Sequence, residues 1–159
     1  NNNAYCLDDE TSWRDWSEPV LVDFVARALA LRRAMPALRR TDFFYGRADT
    51  DPADAPPDIA WLHPDGHELV EADFHEHART LVVRIDGAGG GPALLLVLHA
   101  GAAPVDVVLP AAYGDTAWTP VLDAGTPSGA PPDPAARAAG AVLDVPAHTA
   151  LALRATPRL

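Results

Sequence analysis

The sequence predicts a mainly β protein, an antiparallel β-sandwich preceded by one α-helix. Three observations carry this expectation. Apolar residues recur at helical spacing only between residues 21 and 35. From residue 41 onward the apolar runs are short, several alternate with polar residues, and Pro, Gly and Asp clusters separate them. One run, Leu94-Leu95-Leu96-Val97-Leu98, is apolar at every position, as a central strand covered on both faces must be.

Taken in order, residues 1–16 read as a polar loop. Ser17-Glu18-Pro19 then combines a hydroxyl N-cap, an acidic residue and an early proline, the signature of a helix start. Leu21, Phe24, Val25, Ala28, Leu31 and Met35 form one apolar stripe, with Arg27, Arg32 and Arg33 mostly off it, toward the end where the helix dipole favours cations. Pro36 disfavours helical geometry at Met35, so the helix ends there. Strands are expected over residues 59–62 and 81–85, the latter with Leu81, Val83 and Ile85 on one face. Others are expected at 94–98, at 105–109, where Val105, Val107 and Leu109 alternate with Asp106 and Val108, and at 118–122, 142–145 and 149–153. That makes about seven strands with turn signals between them, the pattern of an antiparallel sandwich. Residues 47–58 and 125–140 read as surface loops.

At 159 residues the chain can hold one domain with a proper core, which when compact buries roughly 70% of its unfolded surface. The formal net charge is −10, and all twelve basic residues are arginine. That balance excludes nucleic acid as the expected partner, since phosphate recognition rests on clustered cations. The sole cysteine, Cys6, excludes an internal disulfide framework. No apolar run approaches the ~20 residues that span a bilayer, so no membrane partner is expected, and the chain reads as soluble and cytoplasmic.

The opening segment is the most specific part of the chain. It runs Asn1-Asn2-Asn3-Ala4-Tyr5-Cys6-Leu7-Asp8-Asp9-Glu10 and is followed by Trp13 and Trp16. It contains every asparagine of the protein and no initiator Met precedes it, so the chain is expected to start partway through a longer protein, inside a functional loop. The segment resembles the Asn-Asn-Asn-Ala-Tyr-Cys-Gln-Asp-Asn-Glu stretch of bacterial glycogen debranching enzymes, the isoamylase-like branch of glycoside hydrolase family 13. There it follows the last strand of the catalytic barrel. Leu31-Arg32-Arg33 with Pro36 and Arg39-Arg40, then Phe43-Phe44-Tyr45-Gly46, is similar to the exit from the eighth barrel helix. Asp58-Ile59-Ala60-Trp61 and Asp65-Gly66-His67-Glu68 resemble the family's first sandwich segment, and Val145-Pro146-Ala147-His148-Thr149 running into Leu153-Arg154 its closing strand. The chain departs from the family pattern at Leu7 (Gln), Asp9 (often Asn) and Phe74 (Trp).

This resemblance implies two parts: residues 1–40 as the end of a (β/α)8 barrel, and residues 41–159 as a C-terminal β-sandwich. It implies a parent enzyme that hydrolyses α-1,6-glucosidic branch linkages in glycogen or limit dextrin, with retention and without a cofactor. The family's nucleophilic Asp, acid/base Glu and stabilising Asp lie on earlier barrel strands, so no catalytic residue maps onto this chain. The chain is expected to support the barrel and to be inactive alone. Asn1, Asn2, Asn3, Tyr5, Asp8 and Asp9 are the expected substrate-side contacts, being amides, carboxylates and a stacking ring suited to sugar hydroxyls. Expected partners are branched α-glucan, the upstream barrel, and a second copy through the helix stripe. The alternatives are a carbohydrate-binding module with exposed coplanar aromatics, an interaction domain of fibronectin type, and the C-terminal domain of a trehalose-forming relative.

Other chemistry is poorly supported. Asp8, Asp9 and Glu10 are adjacent rather than an opposed pair about 5–5.5 Å apart. His63, His67, His75 and His77 invite a metal reading, but His63 and His67 flank Pro64-Asp65-Gly66, which reads as an ordinary turn, and no established metal spacing is present. No metal is therefore expected. Gly89-Gly90-Gly91 lacks the Lys-Ser/Thr of a phosphate loop and reads as a turn. Ser12, Ser17 and Ser128 stand in no nucleophile-elbow context, and Cys6 has no basic neighbour to lower its pKa. Trp61 and Trp118 lie within strand patterns and are expected in the core, whereas Trp13 and Trp16 are placed to pin the loop to the barrel rim.

Overall fold

The computed structural model describes residues 17–47, 55–75 and 77–157. The helix α1 spans Pro19–Ala34. Glu18, not Ser17, occupies the N-cap position, and its own side chain makes no capping bond. Pro19 starts the helix because its fixed φ is already helical and its missing N–H would have had no partner there. Met35 is extended (φ −110°, ψ 99°), as the residue before a proline should be, and Pro36–Arg39 forms a single 3-10 turn.

Among the described residues eight strands follow: β1 (Ile59–Leu62), β2 (Thr80–Ile85), β3 (Leu94–His99), β4 (Val105–Val108), β5 (Asp115–Asp123), β6 (Arg137–Ala138), β7 (Val142–Val145) and β8 (Thr149–Pro157). They form a lopsided sandwich. Six strands make one sheet in the order β1-β2-β3-β8-β5-β6, and β4 pairs with β7 in the other. Every pairing is antiparallel. The all-apolar run becomes β3, held between β2 and β8. The two-residue β6 falls inside the stretch expected to be a loop. Two register shifts mark β5, one of them between Pro120 and Leu122. A proline in a sheet needs such an irregularity, or an edge, because it cannot donate to the ladder.

The core has two layers. Between the sheets lie Leu62, Val82, Leu95, Val97, Val107, Leu109, Trp118, Val145 and Leu153. On the other face of the large sheet, Val83, Ile85, Leu94 and Ala152 are covered by Met35 and Ala37, with Leu31, Leu38 and Phe44 beside them. Alternation along β2 and β3 sends successive side chains to these two layers, and Leu81, Val83 and Ile85 do share one face. The helix stripe is therefore largely used within the chain. Phe24, Val25, Ala28 and Leu31 are half-buried, whereas Leu21 is 58% exposed. The loop at residues 125–140 supports this docking. Gly129, at φ +72°, sits where a Cβ would lie 2.9 Å from the Phe24 ring, and Arg27 donates from Nε to the Ser128 carbonyl at 3.3 Å.

Trp61 overturns one expectation. It is 48% exposed, because Ala60 and Leu62 take the inward positions of β1 and leave Trp61 pointing out from an edge strand.

Candidate functional site

Asn1, Asn2, Asn3, Tyr5, Asp8 and Asp9, together with Trp13 and Trp16, lie outside the described residues. The structure does show how the segments after them are held together. Asp58 joins the helix exit to β1. Its Oδ2 accepts from Arg40 Nη1 at 2.9 Å, and its Oδ1 accepts the backbone N–H of Gly46 at 2.9 Å and of Tyr45 at 3.2 Å. Arg40 also donates from Nη2 to the Phe43 carbonyl at 2.8 Å and lies 4.3 Å from the centroid of the Phe44 ring. The separate stretches Arg39-Arg40, Phe43-Phe44-Tyr45-Gly46 and Asp58-Ile59-Ala60-Trp61 thus meet at one carboxylate.

A groove of about 990 Å³ opens beside the segment joining β1 to β2, and its lining includes His63, Asp73, Phe74, His75, Leu98 and His148. Phe74 is 69% exposed. His99, buried at the groove, donates from Nε2 to the Ala103 carbonyl and accepts at Nδ1 from the Thr80 hydroxyl, both at 2.8 Å. It is held as a structural residue. His148 takes φ +51°, uncommon for a residue with a side chain, in the tight turn into β8.

The turn expected at Pro64-Asp65-Gly66 is present, and it brings the histidines at residues 63 and 67 together. The turn Pro64-Asp65-Gly66 is closed at its base by the His63 N–H to the His67 carbonyl, 2.9 Å, and by the Gly66 N–H back to the His63 carbonyl, 2.9 Å. Gly66 adopts φ +96°, a conformation that residues with a Cβ rarely take. The result stacks the two imidazoles at 4.8 Å and brings both Nδ1 atoms onto one oxygen, Asp65 Oδ1, at 2.8 Å from His63 and 2.6 Å from His67. His67 Nε2 meets Asp73 Oδ2 at 2.9 Å, and Asp73 in turn accepts the Val70 N–H at 2.8 Å.

The electrostatics follow from these contacts. The hydrogen bond to Asp73 raises the His67 pKa above the ordinary imidazole value, with Asp65 adding to it. The His63 hydrogen bond lowers that of Asp65. Asp73 is also lowered, first by the Val70 N–H and then by His67. The sequence places His63 and His67 about an ordinary turn, with no metal expected, and does not connect Asp73 with them. The available signal was three ligand-capable side chains at alternate positions about a glycine turn. Whether they converge depends on the turn's dihedral angles.

No family model matches the chain. The chain is similar to the glycogen operon protein GlgX homolog of Mycobacterium tuberculosis, 34% identical over 145 residues that cover 81% of this chain and 20% of that protein. It is 33% identical to an isoamylase of a Flavobacterium species over 136 residues, 79% of this chain and 17% of the relative. It is 32% identical to a glycogen debranching enzyme of Klebsiella pneumoniae over 112 residues, 69% of this chain and 15% of the relative. The chain spans at most about a fifth of the length of these curated relatives. Among the described residues, no helix is long and apolar enough to cross a membrane.

Proposed function

Because the chain belongs to the family of bacterial glycogen debranching enzymes and isoamylases, we propose that it is the C-terminal part of an enzyme that hydrolyses α-1,6-glucosidic branch linkages in glycogen or limit dextrin. The observation that carries this reading is identity of 32–34% sustained over most of the chain, against so small a share of each relative. In this reading residues 1–40 close a catalytic barrel and residues 41–159 brace it. The Asp58 contacts and the packing of Met35 and Ala37 on the large sheet support a rigid junction between the two. The parent enzyme acts in the cytoplasm, a compartment that a chain with one cysteine fits. The relatives' names lend no support to a separate carbohydrate-binding module or to an interaction domain of fibronectin type.

Loops at the C-terminal ends of barrel strands form the active-site face of such a barrel. Asn1, Asn2, Asn3, Tyr5, Asp8 and Asp9 are therefore assigned to the wall of the substrate cleft near the branch. Replacing Tyr5 with alanine in the full-length enzyme is expected to lower kcat/KM on branched glucan about tenfold, the worth of one stacking ring, with little change on a linear one. Unchanged kcat/KM on branched glucan, with stability intact, would reduce the segment to a structural rim.

The outer side of α1 is assigned to contact with the rest of the parent polypeptide. Val20, Leu21 and Leu29 are each about half exposed, and leaving such side chains in water forgoes roughly 1.5–3 kcal/mol each. In the isolated chain a second copy is expected to cover them. Sedimentation should show concentration-dependent dimers, and Leu21→Glu with Leu29→Glu should leave monomers. A wild-type chain that stays monomeric at the highest soluble concentration would rule out this contact.

A further inference from the structure

We propose that the turn carrying His63, Asp65 and His67 is a binding site for a divalent transition-metal ion, with Zn²⁺ as the reference ion. The atoms that would bind it are the two Nδ1 atoms, each within 2.8 Å of Asp65 Oδ1, and an Asp65 oxygen; one ligand atom from each of the three residues lies within 4.8 Å of the others. Two imidazoles and one carboxylate make a three-ligand set suited to zinc, with solvent completing the shell.

Two features distinguish this cluster from exposed histidines that happen to be neighbours. The first is the outer contact. His67 presents Nδ1 to the site while its Nε2–H is held by Asp73, the carboxylate–histidine arrangement that sets the tautomer and ring orientation of a metal ligand. Asp73 is itself fixed by the Val70 N–H. The second is the frame. Backbone bonds from His63 to His67 and from Leu69 to the Trp61 carbonyl close the hairpin below the turn, and Leu62 bridges Glu68. The three ligands thus sit on one short, closed loop.

Without an ion, each Nδ1 lies against Asp65 Oδ1, at 2.8 Å from His63 and 2.6 Å from His67. A tetrahedral zinc with bonds of about 2.0–2.1 Å requires ligand atoms about 3.3 Å apart. The N–O pairs must open by about half an ångström and the two imidazoles must swing to bring their nitrogens to the same spacing, rotations available to side chains that are one-third to two-thirds exposed. The ion takes the place of the His67 Nδ1 proton, which leaves to solvent while Nε2 keeps its own, and joins the hairpin, through His67 and Asp73, to the 3-10 turn Glu71–Asp73. The site is independent of the glucan reading, since it uses none of the residues assigned to the cleft.

The experiment is calorimetric titration of Zn²⁺ into the 159-residue chain at neutral pH. One equivalent should bind. His63→Gln and His67→Gln should each weaken binding at least tenfold, and Asp73→Asn about 10–100-fold through the lost outer contact. His75→Gln with His77→Gln should leave it unchanged. Nitrogen-15 imidazole spectra of the wild-type chain need no variant to fold. Added Zn²⁺ should move the Nδ1 resonances of His63 and His67 and spare buried His99. Absence of stoichiometric binding, binding indifferent to His63 and His67, or loss on changing His75 and His77 would each overturn the proposal.

Discussion

Replacing Asp115 with alanine is expected to cost the fold about 3–5 kcal/mol, because it strands a buried charge. Arg84 lies on β2 between Ala60 and Leu95 of the neighbouring strands, facing the space between the sheets, and is 2% exposed. Its Nε donates to Asp115 Oδ2 at 2.8 Å, its Nη2 donates to Asp86 Oδ1 at 2.9 Å, and its guanidinium lies 4.8 Å from the centroid of the Tyr113 ring. Nη1 has no hydrogen-bond partner among the described residues. Among those residues the guanidinium is thus already one partner short, and without Asp115 its remaining carboxylate there is the partly exposed Asp86. Tyr113 donates to Glu68 Oε1 at 2.6 Å, and burial, then that bond, raises its pKa, so the ring stays neutral over the guanidinium. Urea unfolding should show the lower midpoint with an unchanged slope. The pair Arg84→Met and Asp115→Leu should regain most of the loss, since a well-packed apolar pair can replace a buried ion pair at little cost. A loss under about 1 kcal/mol for Asp115→Ala would mean that water reaches the guanidinium.

Trp118→Ala is expected to cost about 3–5 kcal/mol by a different route, the loss of a filled core volume. Trp118 is wholly buried between the sheets, and its Nε1–H donates to the Pro110 carbonyl at 3.0 Å. That bond ties β5 to the end of the segment leaving β4. Trp118→Phe separates the two contributions. It keeps most of the ring volume and leaves the Pro110 carbonyl unpaired, for about 1–3 kcal/mol. Equal losses from the two variants would assign the residue's importance to the hydrogen bond and not to packing.

Much of this architecture was legible because local chemistry and the global fold agree. Pro36 forces Met35 out of the helix wherever the helix packs, and α1 ends there. The uninterrupted apolar run at 94–98 has only one comfortable place, the middle of a covered sheet, and β3 occupies it. Leu81, Val83 and Ile85 share a face because strand periodicity requires it. Trp118 and Trp61 look alike in sequence, yet one is buried and the other half exposed. What separates them is the alternation phase of each strand and the position of β1 at a sheet edge, and both depend on pairing partners. The two-residue β6 escaped notice because it carries no apolar pattern and exists only as a partner for Ala117 and Trp118.

The sequence by itself determined the fold class, the extent of the helix, the positions of the main strands and the family resemblance, since each rests on residue order and short-range periodicity. The tertiary structure decided which side chains meet across long separations. It placed Asp58 against Arg40 and Gly46, Asp115 against Arg84, α1 beside β5, and Met35 and Ala37 over β2, β3 and β8. It also decided that His63, Asp65, His67 and Asp73 converge, because the φ of Gly66 and the closure of one hairpin set where those side chains point. Patterns of two or three residues encode elements. Contacts between residues tens of positions apart follow only once strand order and register are set, because register determines which side chains face one another.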